Sequence, residues 1–511
     1  MPHRLVALAA LAVSVAACSS PPSQRRLADE AVAAMGGKAK LQAIQVLAMS
    51  GGTGTRLRLG QAKTADGPET PTPELRNVME IADLANGRAS LDYELRNGEF
   101  TQHRHEILTK RGEGPTARPV GIEIVGNRPI VATSPGGLFS WGTQNSPEIL
   151  LRRNVITIAL AAAESASEAQ PAQDREIDGR MLAYGTAKTR GGEDVGVYFD
   201  PQSKLIAAFE TIDTEVMLGD VAAQYILRDY RTVDGVSLPH RVTIRKGGKD
   251  YSDVQYSSVS INDPKALDVF AIPESAATEA EQAVLAGDYT PLALSKIADG
   301  LYLARAYSHN SMVVEFPTSV TVVEAPYTDT QSKVLARLVR EQFPNKPIQY
   351  AVVTHPHYDH IGGVRGIAAE GATLLVERRH EAVLRPLMDA RFLQSPDALE
   401  RLRDPQKAGV SWKAEFYDGS RVIAEGSQRL ELHAVTGSPH VEPMVLAFVP
   451  SAGALFQSDL WFPGTGGAGS PEARHLLDSV KALGLRVQVN VGGHGGVGPF
   501  SELVTAVGKM Q

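Results

Sequence analysis

The sequence predicts two folded domains of different class, a mostly antiparallel β domain with a few helices and then a layered α/β domain. Its 511 residues exceed the length that a single domain usually has. Short alternating apolar runs separated by turn residues continue to about Phe270, a pattern typical of antiparallel strands. From about Ile297 onward, strands and helices alternate, which indicates helices packed on sheets.

The composition is that of a globular protein, and it excludes several classes of function. Apolar residues make up 43% of the chain and charged residues 21%, which rules out wholesale disorder. The formal net charge of −7 provides no basic face, so we expect no nucleic-acid partner. The single cysteine, Cys18, excludes an internal disulfide, a cysteine-rich zinc module and an iron–sulfur cluster.

The N-terminus has the pattern of a secretory signal that ends at this cysteine. Arg4 precedes an apolar run over residues 5–15, which is too short to span a bilayer. The run ends in Val15-Ala16-Ala17-Cys18, and these residues resemble the lipobox of bacterial lipoproteins. An ordinary secretory signal with an incidental cysteine is the alternative.

The lipobox resemblance implies a signal peptide over residues 1–18, acylation of Cys18 and a linker over residues 19–28. Two or three acyl chains would hold the protein stably on a membrane. Because Ser19 follows the cysteine, the resemblance also implies an outer-membrane lipoprotein on the periplasmic side of a bacterial cell envelope.

Residues 29–274 are assigned to the N-terminal β-rich domain. An amphipathic helix ended by glycines is expected over residues 25–37, and a second helix over residues 145–168. Strands are expected at 56–59, 195–199, 205–212, 225–230, 241–244 and 251–261. The end of the domain, Phe270-Ala271-Ile272-Pro273, resembles the half-barrel of periplasmic lipoprotein carriers.

Residues 290–511 are assigned to the second domain, which follows a connection of small and polar residues over 275–289. Strands are expected at 301–304, 312–316, 320–323 and 348–354, with a helix over residues 332–343 before the last of them. This order of strands and helix predicts α/β layers.

Four side chains that can bind a metal lie within six residues, directly after the last of these strands. They are His355, His357, Asp359 and His360. His355 and His357 are two apart in an extended segment, so both rings can point the same way. Neutral imidazole and carboxylate are ligands suited to zinc or a related divalent ion. The sequence therefore predicts a metal site at the end of this strand.

This H-x-H-x-D-H pattern resembles the metallo-β-lactamase superfamily, and residues matching its later ligands follow in order. His440, Asp459 and His494 each come after an apolar run. The resemblance implies an αββα sandwich over residues 290–511. It implies that His355, His357 and His440 bind one metal, that Asp359, His360 and His494 bind a second, and that Asp459 bridges the two.

The same resemblance implies two zinc ions per chain, with iron or manganese as alternatives. Asp359 is the predicted catalytic residue, because a ligand carboxylate can orient the attacking hydroxide and take up its proton. His309, Tyr358 and Trp461 are predicted to line the substrate pocket. The bridging Asp459 makes the chain more similar to glyoxalase II, the lactonases and other general hydrolases than to true β-lactamases.

The sequence departs from the family pattern at two points. Glu324 stands where the family usually has an aspartate, which predicts different support for a ligand histidine. No basic residue follows His440 in an obvious substrate-clamping position, so recognition of an anionic substrate has no support from the sequence.

The predicted function is that of a membrane-anchored dinuclear zinc hydrolase. A metal-bridging hydroxide would cleave an ester, lactone, thioester or amide in a small-molecule substrate. One alternative is an iron-containing redox protein of the same fold, and another is a carrier of a lipid-like ligand with a non-catalytic metal domain. A phosphodiesterase or nuclease is weakened by the acidic balance. The sequence leaves any protein partner open.

Overall fold

The computed structural model describes residues 21–69, 73–97, 100–111, 118–125, 128–130, 147–286, 292–306, 308–403 and 412–510. The predicted signal peptide and Cys18 lie outside these residues. Within them, every helix is too short or too polar to cross a lipid bilayer.

The helices of the described residues are α1 (Gln24–Ala34), α2 (Lys38–Gln42), α3 (Pro147–Arg152), α4 (Val155–Ser165), α5 (Glu274–Ala286), α6 (Asp329–Gln342), α7 (Tyr358–Ile361), α8 (Val364–Ala369), α9 (Glu381–Asp389), α10 (Ala398–Leu402), α11 (Pro471–Ala482) and α12 (Phe500–Gly508). Short 3₁₀ helices occur at Pro264–Phe270, Arg378–His380 and Pro450–Ala452.

The strands of the N-terminal half are β1 (Val46–Arg56), β2 (Glu74–Asp83), β3 (Arg88–Asn97), β4 (Phe100–Arg111), β5 (Arg118–Val125), β6 (Arg128–Ile130), β7 (Gln173–Ile177), β8 (Arg180–Lys188), β9 (Asp194–Phe199), β10 (Ile206–Glu215), β11 (Gly219–Val233), β12 (Val236–Lys246), β13 (Lys249–Gln255) and β14 (Ser258–Ile261). They form one sheet in the order β6-β5-β4-β3-β2-β1-β13-β12-β11-β10-β9-β8-β7, with β14 paired to β1, and every pair is antiparallel. The mostly antiparallel β domain predicted from the sequence is confirmed.

Helices α1 and α4 pack on this sheet and bury its apolar face. Side chains such as Leu27, Ile158 and Phe209 share one core with residues from both halves of the sheet. Ser23 accepts a hydrogen bond from the backbone N–H of Arg26 and so caps the start of α1.

The strands of the C-terminal half are β15 (Ala293–Ala298), β16 (Leu301–Arg305), β17 (Ser311–Glu315), β18 (Val320–Val323), β19 (Ile348–Val352), β20 (Thr373–Glu377), β21 (Lys413–Tyr417), β22 (Ser420–Glu425), β23 (Gln428–Val435), β24 (Met444–Val449), β25 (Ala454–Gln457), β26 (Val489–Gly492) and β27 (Val497–Pro499). Strands β15 to β21 form one sheet in sequence order, and β22 to β27 form a second. The pairs among β18, β19, β20 and β21 are parallel, as is the pair β25–β26.

Three cores define the layers of this half. One joins the two sheets face to face, one lies between the first sheet and α6, α8 and α9, and one lies between the second sheet and α11 and α12. The order of layers is helix, sheet, sheet, helix, which is the predicted αββα sandwich. Parallel neighbouring strands deliver their carboxyl ends, and the loops that follow them, to one edge of a sheet.

Three local predictions differ from the structure. The strand predicted over residues 56–59 is absent beyond Arg56, because β1 ends there and the chain then leaves the sheet. The helix predicted over 145–168 is divided at residue 154, where Asn154 accepts from the backbone N–H of Thr157 and caps a new helix. The predicted connection contains α5, whose Ala276 packs against Val120 and Ile122 of the N-terminal sheet.

Candidate metal centre

The H-x-H-x-D-H segment lies where β19 ends. His355 and His357 occupy the extended segment before α7, and Asp359 and His360 lie in α7 itself. The backbone N–H groups of His360 and Ile361 both donate to the carbonyl of His357, which makes the short helix begin there. All three histidines are buried, so their rings are held in fixed directions.

Three later side chains reach the same place from separate loops. His440 lies between β23 and β24, Asp459 follows β25, and His494 follows β26. Asp459 has a left-handed backbone with φ of 62°, a conformation that few residues other than glycine adopt. Unusual backbone of this kind is concentrated at functional sites.

The carboxylate of Asp459 is the centre of the arrangement. Its Oδ2 lies 3.3 Å from His355 Nε2, 3.0 Å from His360 Nε2 and 2.9 Å from His440 Nε2. Its Oδ1 lies 2.7 Å from His494 Nε2. The two carboxylate oxygens therefore face different histidines.

Among the described residues, three groups of side chains have ligand atoms close enough to share an ion, and one of the three is Glu324 with His355 and His360. In the first group, His355, His357, His440 and Asp459 have ligand atoms within 4.8 Å of one another. In the second group the same limit holds for His309, His360 and His494. The structure thus brings together histidines predicted for each metal and adds His309 to the second group.

Three buried ring nitrogens crowd the same oxygen of Asp459, and among the described residues none of them makes a well-directed hydrogen bond. They are His355 Nε2, His360 Nε2 and His440 Nε2. A buried polar atom without a partner costs roughly 1–3 kcal/mol, so such a cluster is unusual in a folded protein. Histidine and carboxylate donors gathered in this way suit a divalent ion such as zinc.

Glu324 supports His360 from behind. The Glu324 side chain, which directly follows β18, is fully buried. It accepts a hydrogen bond from Thr354 Oγ1, and its Oε2 lies 3.1 Å from His360 Nδ1. The ring nitrogen can donate to this carboxylate, which leaves Nε2 free to face Asp459. The glutamate therefore orients one of the histidines predicted to bind a metal.

Burial lowers the pKa of some histidines of the site, whereas nearby carboxylates raise the pKa of another. Burial lowers the pKa of His355 to about 3 and that of His309 to about 4, and it also lowers the pKa of His357. Burial would lower the pKa of His360 as well, but the carboxylates of Asp459 and Glu324 outweigh it and raise the pKa. His309, His355 and His357 therefore carry neutral imidazole, the form that binds metals.

The residues predicted to line the substrate pocket lie in different surroundings. His309 is buried, with its ring centroid 3.8 Å from that of His494 and its Nε2 3.2 Å from Asp359 Oδ2, so it lies within the histidine cluster. Tyr358 is partly buried beside the ligand loop. Trp461 is buried in the core beneath α11 and α12, which corrects its predicted place in the pocket. The neighbouring Phe462 is 45% exposed, and its ring centroid lies 5.0 Å from that of His494.

Two contacts with candidate ligand side chains come from the N-terminal domain and have no signal in the sequence. Gln61 Nε2 donates to Asp359 Oδ1 over 2.8 Å, and the carbonyl of Ala62 lies 3.2 Å from His357 Nε2. Nearly three hundred residues separate these partners along the chain, so no motif spacing connects them.

Comparison with known proteins matches the C-terminal region to a family. Residues 304–494 match the family model described as the metallo-beta-lactamase superfamily. Over 78 residues, 15% of this chain, the sequence is 33% identical to an alkyl/aryl-sulfatase of Saccharomyces cerevisiae and equally to a linear primary-alkylsulfatase of a Pseudomonas species. The match spans only 12% of the length of each of these relatives.

A solved metallo-beta-lactamase from Pontibacter korlensis is also similar. It is 14% identical, with a TM-score of 0.32, over 43% of this chain and 98% of the other. The helix–sheet–sheet–helix layers and the family match agree on the same region of the chain. The C-terminal domain, residues 304–494 at least, belongs to the metallo-beta-lactamase superfamily.

Proposed function

We propose that this chain is a metal-dependent hydrolase with a dinuclear zinc centre, which cleaves an ester, lactone, thioester or amide. The observation that carries the proposal is the set of three buried ring nitrogens that crowd one oxygen of Asp459 without a well-directed hydrogen bond. Metal ions would pair these nitrogens and remove the cost of their burial.

Seven predicted side chains and one further histidine would hold the two ions. His355, His357 and His440 would hold the first, and Asp359, His360 and His494 the second, with Asp459 between them. His309 joins the second group, because its ligand atom lies within 4.8 Å of those of His360 and His494.

The chemistry divides between the ions and the chain. Two divalent ions would supply a water activated near neutral pH and would polarise the scissile bond. Asp359 would orient that water and take up its proton, with one carboxylate oxygen directed to the histidine cluster and the other held by Gln61. The exposed ring of Phe462 would provide an apolar surface beside His494 for the substrate.

Sulfate esters are added to the substrate classes to be tested. Both curated relatives carry names of sulfatases, one acting on alkyl and aryl esters and one on linear primary alkyl esters. Arg58 provides a cation next to the site, with its Nη1 3.5 Å from Gln61 Oε1. A guanidinium in this position suits an anionic ester.

A panel assay tests the proposal directly. The full chain would be loaded with zinc and offered chromogenic carboxylic esters, thioesters, lactones, sulfate esters and a β-lactam. We expect hydrolysis of at least one class, loss of that activity with a chelator, and a loss of roughly 10³-fold or more, as seen on removing a catalytic residue, in His355→Ala. His475→Ala is the matched control and should retain full activity, because His475 lies in α11 and its ring contacts Ser479 of the same helix. Equal rates for the wild-type chain and His355→Ala on every substrate would overturn the proposal.

A cavity in the N-terminal domain bears on the alternative that the chain carries a lipid-like ligand. A cavity of about 90 Å³ lies between the sheet and the helices, lined by apolar side chains such as Leu47, Phe209 and Val254 with Arg153 among them. An apolar lining of this kind suits an apolar ligand, so binding of a fluorescent fatty acid to a full-length chain that hydrolyses nothing on the panel would favour the carrier.

Metal analysis separates the zinc enzyme from the iron-containing redox alternative. Iron in the protein as purified, together with no hydrolysis across the panel, would favour the redox protein.

We also propose a lipid anchor at Cys18 on the periplasmic side of the outer membrane, for which the lipobox residues are the support. Incorporation of labelled palmitate into the wild-type chain but not into Cys18→Ala tests it.

A further inference from the structure

A segment of the N-terminal domain lies directly against the metal-ligand loops of the C-terminal domain. After β1 ends at Arg56, the chain leaves the sheet, and residues 60–63, here called the inserted segment, reach the candidate metal centre. Its polar contacts there are Gly60 O with Tyr358 N at 3.0 Å, Gln61 Nε2 with Asp359 Oδ1 at 2.8 Å, Ala62 O with His357 Nε2 at 3.2 Å, and Lys63 O with Glu442 N at 2.8 Å. Every residue of the inserted segment therefore bonds to a ligand loop.

The contact of Ala62 fixes the tautomer of His357. A backbone carbonyl can only accept a hydrogen bond, so the ring nitrogen facing it, Nε2, must carry the proton. The other nitrogen, Nδ1, is then the one available to a metal. A backbone carbonyl that orients a ligand histidine in this way is a common supporting interaction in metal sites, and here the N-terminal domain supplies it.

The contact of Gln61 fixes the carboxylate of Asp359. Gln61 is only 8% exposed, and its amide donates to Oδ1, which leaves Oδ2 facing His309. The orientation of the amide is determined at its other end, because Arg58 Nη1 approaches Oε1 and an arginine can only donate. The amide nitrogen therefore points at the carboxylate.

The inserted segment is held by its own domain, so it does not depend on the metal site for its shape. The backbone N–H of Gln61 donates to Glu69 Oε2 over 3.0 Å, and Lys249 Nζ in β13 lies 3.1 Å from Glu69 Oε1. Gly60 has φ of 70° and lies against Met217, where an added Cβ would come within 2.9 Å of the methionine side chain. These contacts prearrange the segment before any metal or substrate binds.

We infer that Gln61 is a positioning residue of the metal centre, and that the N-terminal domain completes the site by holding Asp359 and His357 through the inserted segment. The catalytic consequence of this inference rests on the proposed function, whereas its consequence for metal binding does not. Gln61 touches no predicted reacting atom and acts through Asp359. It should therefore influence zinc affinity and turnover rather than substrate binding.

The test compares Gln61→Ala and Gln61→Glu with a matched control in the full chain. Gln255→Ala is the control, because Gln255 Nε2 also donates to an aspartate, Asp229, over 2.9 Å, but within the N-terminal sheet and away from the metal centre. Zinc affinity would be measured by competition with a chromogenic chelator, and urea unfolding of the metal-free chains would confirm that each variant folds. Turnover would be measured on the best substrate of the panel.

Of the two zinc ions, the one that binds with lower affinity should bind about 10–100-fold less tightly to both Gln61 variants than to the wild-type chain. This is the range seen when a ligand's supporting partner is removed. Gln61→Glu should have a lower zinc affinity than Gln61→Ala, because a second carboxylate would face Asp359. kcat should fall in the same order while KM stays unchanged. Zinc affinities within about threefold of the wild type and of Gln255→Ala would overturn the inference. A wild-type chain that binds zinc but hydrolyses nothing would contradict the proposed function alone, and the zinc affinities would still decide this inference.

Discussion

Replacing Glu324 by glutamine removes one negative charge behind His360 with almost no change in volume. The carboxylate receives the Thr354 hydroxyl on one oxygen and faces His360 Nδ1 at 3.1 Å on the other. A glutamine keeps one oxygen but must turn its NH₂ group toward either the threonine or the ring. The threonine hydroxyl can accept from this NH₂ group, so the glutamine keeps both contacts, but His360 then faces a neutral acceptor in place of a charged one.

The size of the effect follows from the charge that the glutamine lacks. One hydrogen bond to a charged group is worth about 1.5–3 kcal/mol, and the side chain is fully buried, so water cannot replace it. Converted by about 1.4 kcal/mol per factor of ten, this predicts a loss of roughly 10- to 100-fold in zinc affinity, the range seen for such supporting partners. Glu324→Asp keeps the charge and should lose less than Glu324→Gln.

Chelator competition on the full-length chain is the assay, with Glu377→Gln as the control. Glu377 ends β20 in the same sheet and is buried as Glu324 is, but it caps a 3₁₀ turn through the backbone N–H of Arg379 and does not touch the cluster. We expect the control to bind zinc as the wild-type chain does. If Glu324→Gln binds zinc as tightly as Glu377→Gln, the support that we assign to Glu324 is refuted.

Three further predictions concern metal binding and stability. In a stepwise chelator titration, His309→Ala should lower the affinity for the second zinc at least about tenfold and leave the affinity for the first unchanged. Two unchanged affinities would contradict the assignment of His309 as a ligand. Arg365→Met should cost about 3–5 kcal/mol in urea unfolding, because it leaves the buried Asp397 without its guanidinium partner; a loss below about 1 kcal/mol would contradict this. Burial lowers the pKa of His380 from 6.5 to about 4 in the folded chain. As the pH falls below 6.5, His380 therefore takes up a proton in the unfolded chain but stays neutral in the folded chain. Stability should therefore fall between about pH 7 and pH 5, and the fall should be about 2 kcal/mol smaller in His380→Gln; an equal fall in both chains would refute the assignment.

The ligand set could be predicted because its chemistry is local or follows strands. His355, His357, Asp359 and His360 lie within one short segment, and the later candidates each follow an apolar strand. Parallel strands deliver their carboxyl ends to one edge, so these loops converge even though the residues are far apart in the chain. The αββα layers follow from the same alternation of strands and helices.

The contribution of the N-terminal domain could not be predicted, because it depends on how two domains pack. Residues 56–59 alternate in polarity like a strand, yet they lead into the inserted segment, where Gln61 and Ala62 meet the ligand loops. A lone glutamine carries no pattern that distinguishes it from a solvated one. The place of His309 among the ligands could not be predicted for a similar reason, since only the packing of its loop against His494 reveals that it is buried in the cluster.

The packing of single aromatic side chains was also beyond the sequence. Trp461 and Phe462 are adjacent and both follow Asp459, so their positions in the chain do not say which faces the site. The backbone after β25 turns the indole of Trp461 into the core of α11 and α12 and leaves Phe462 beside His494. Such a choice depends on the path of one short loop.

The zinc content of the full-length chain tests the central claim most directly. The protein would be loaded with excess zinc, dialysed against metal-free buffer and analysed for metal and protein in the same sample. The arrangement of both histidine groups around Asp459 predicts two zinc equivalents per chain, and Asp459→Ala should retain fewer. One equivalent or less in the fully loaded wild-type chain would contradict the dinuclear centre.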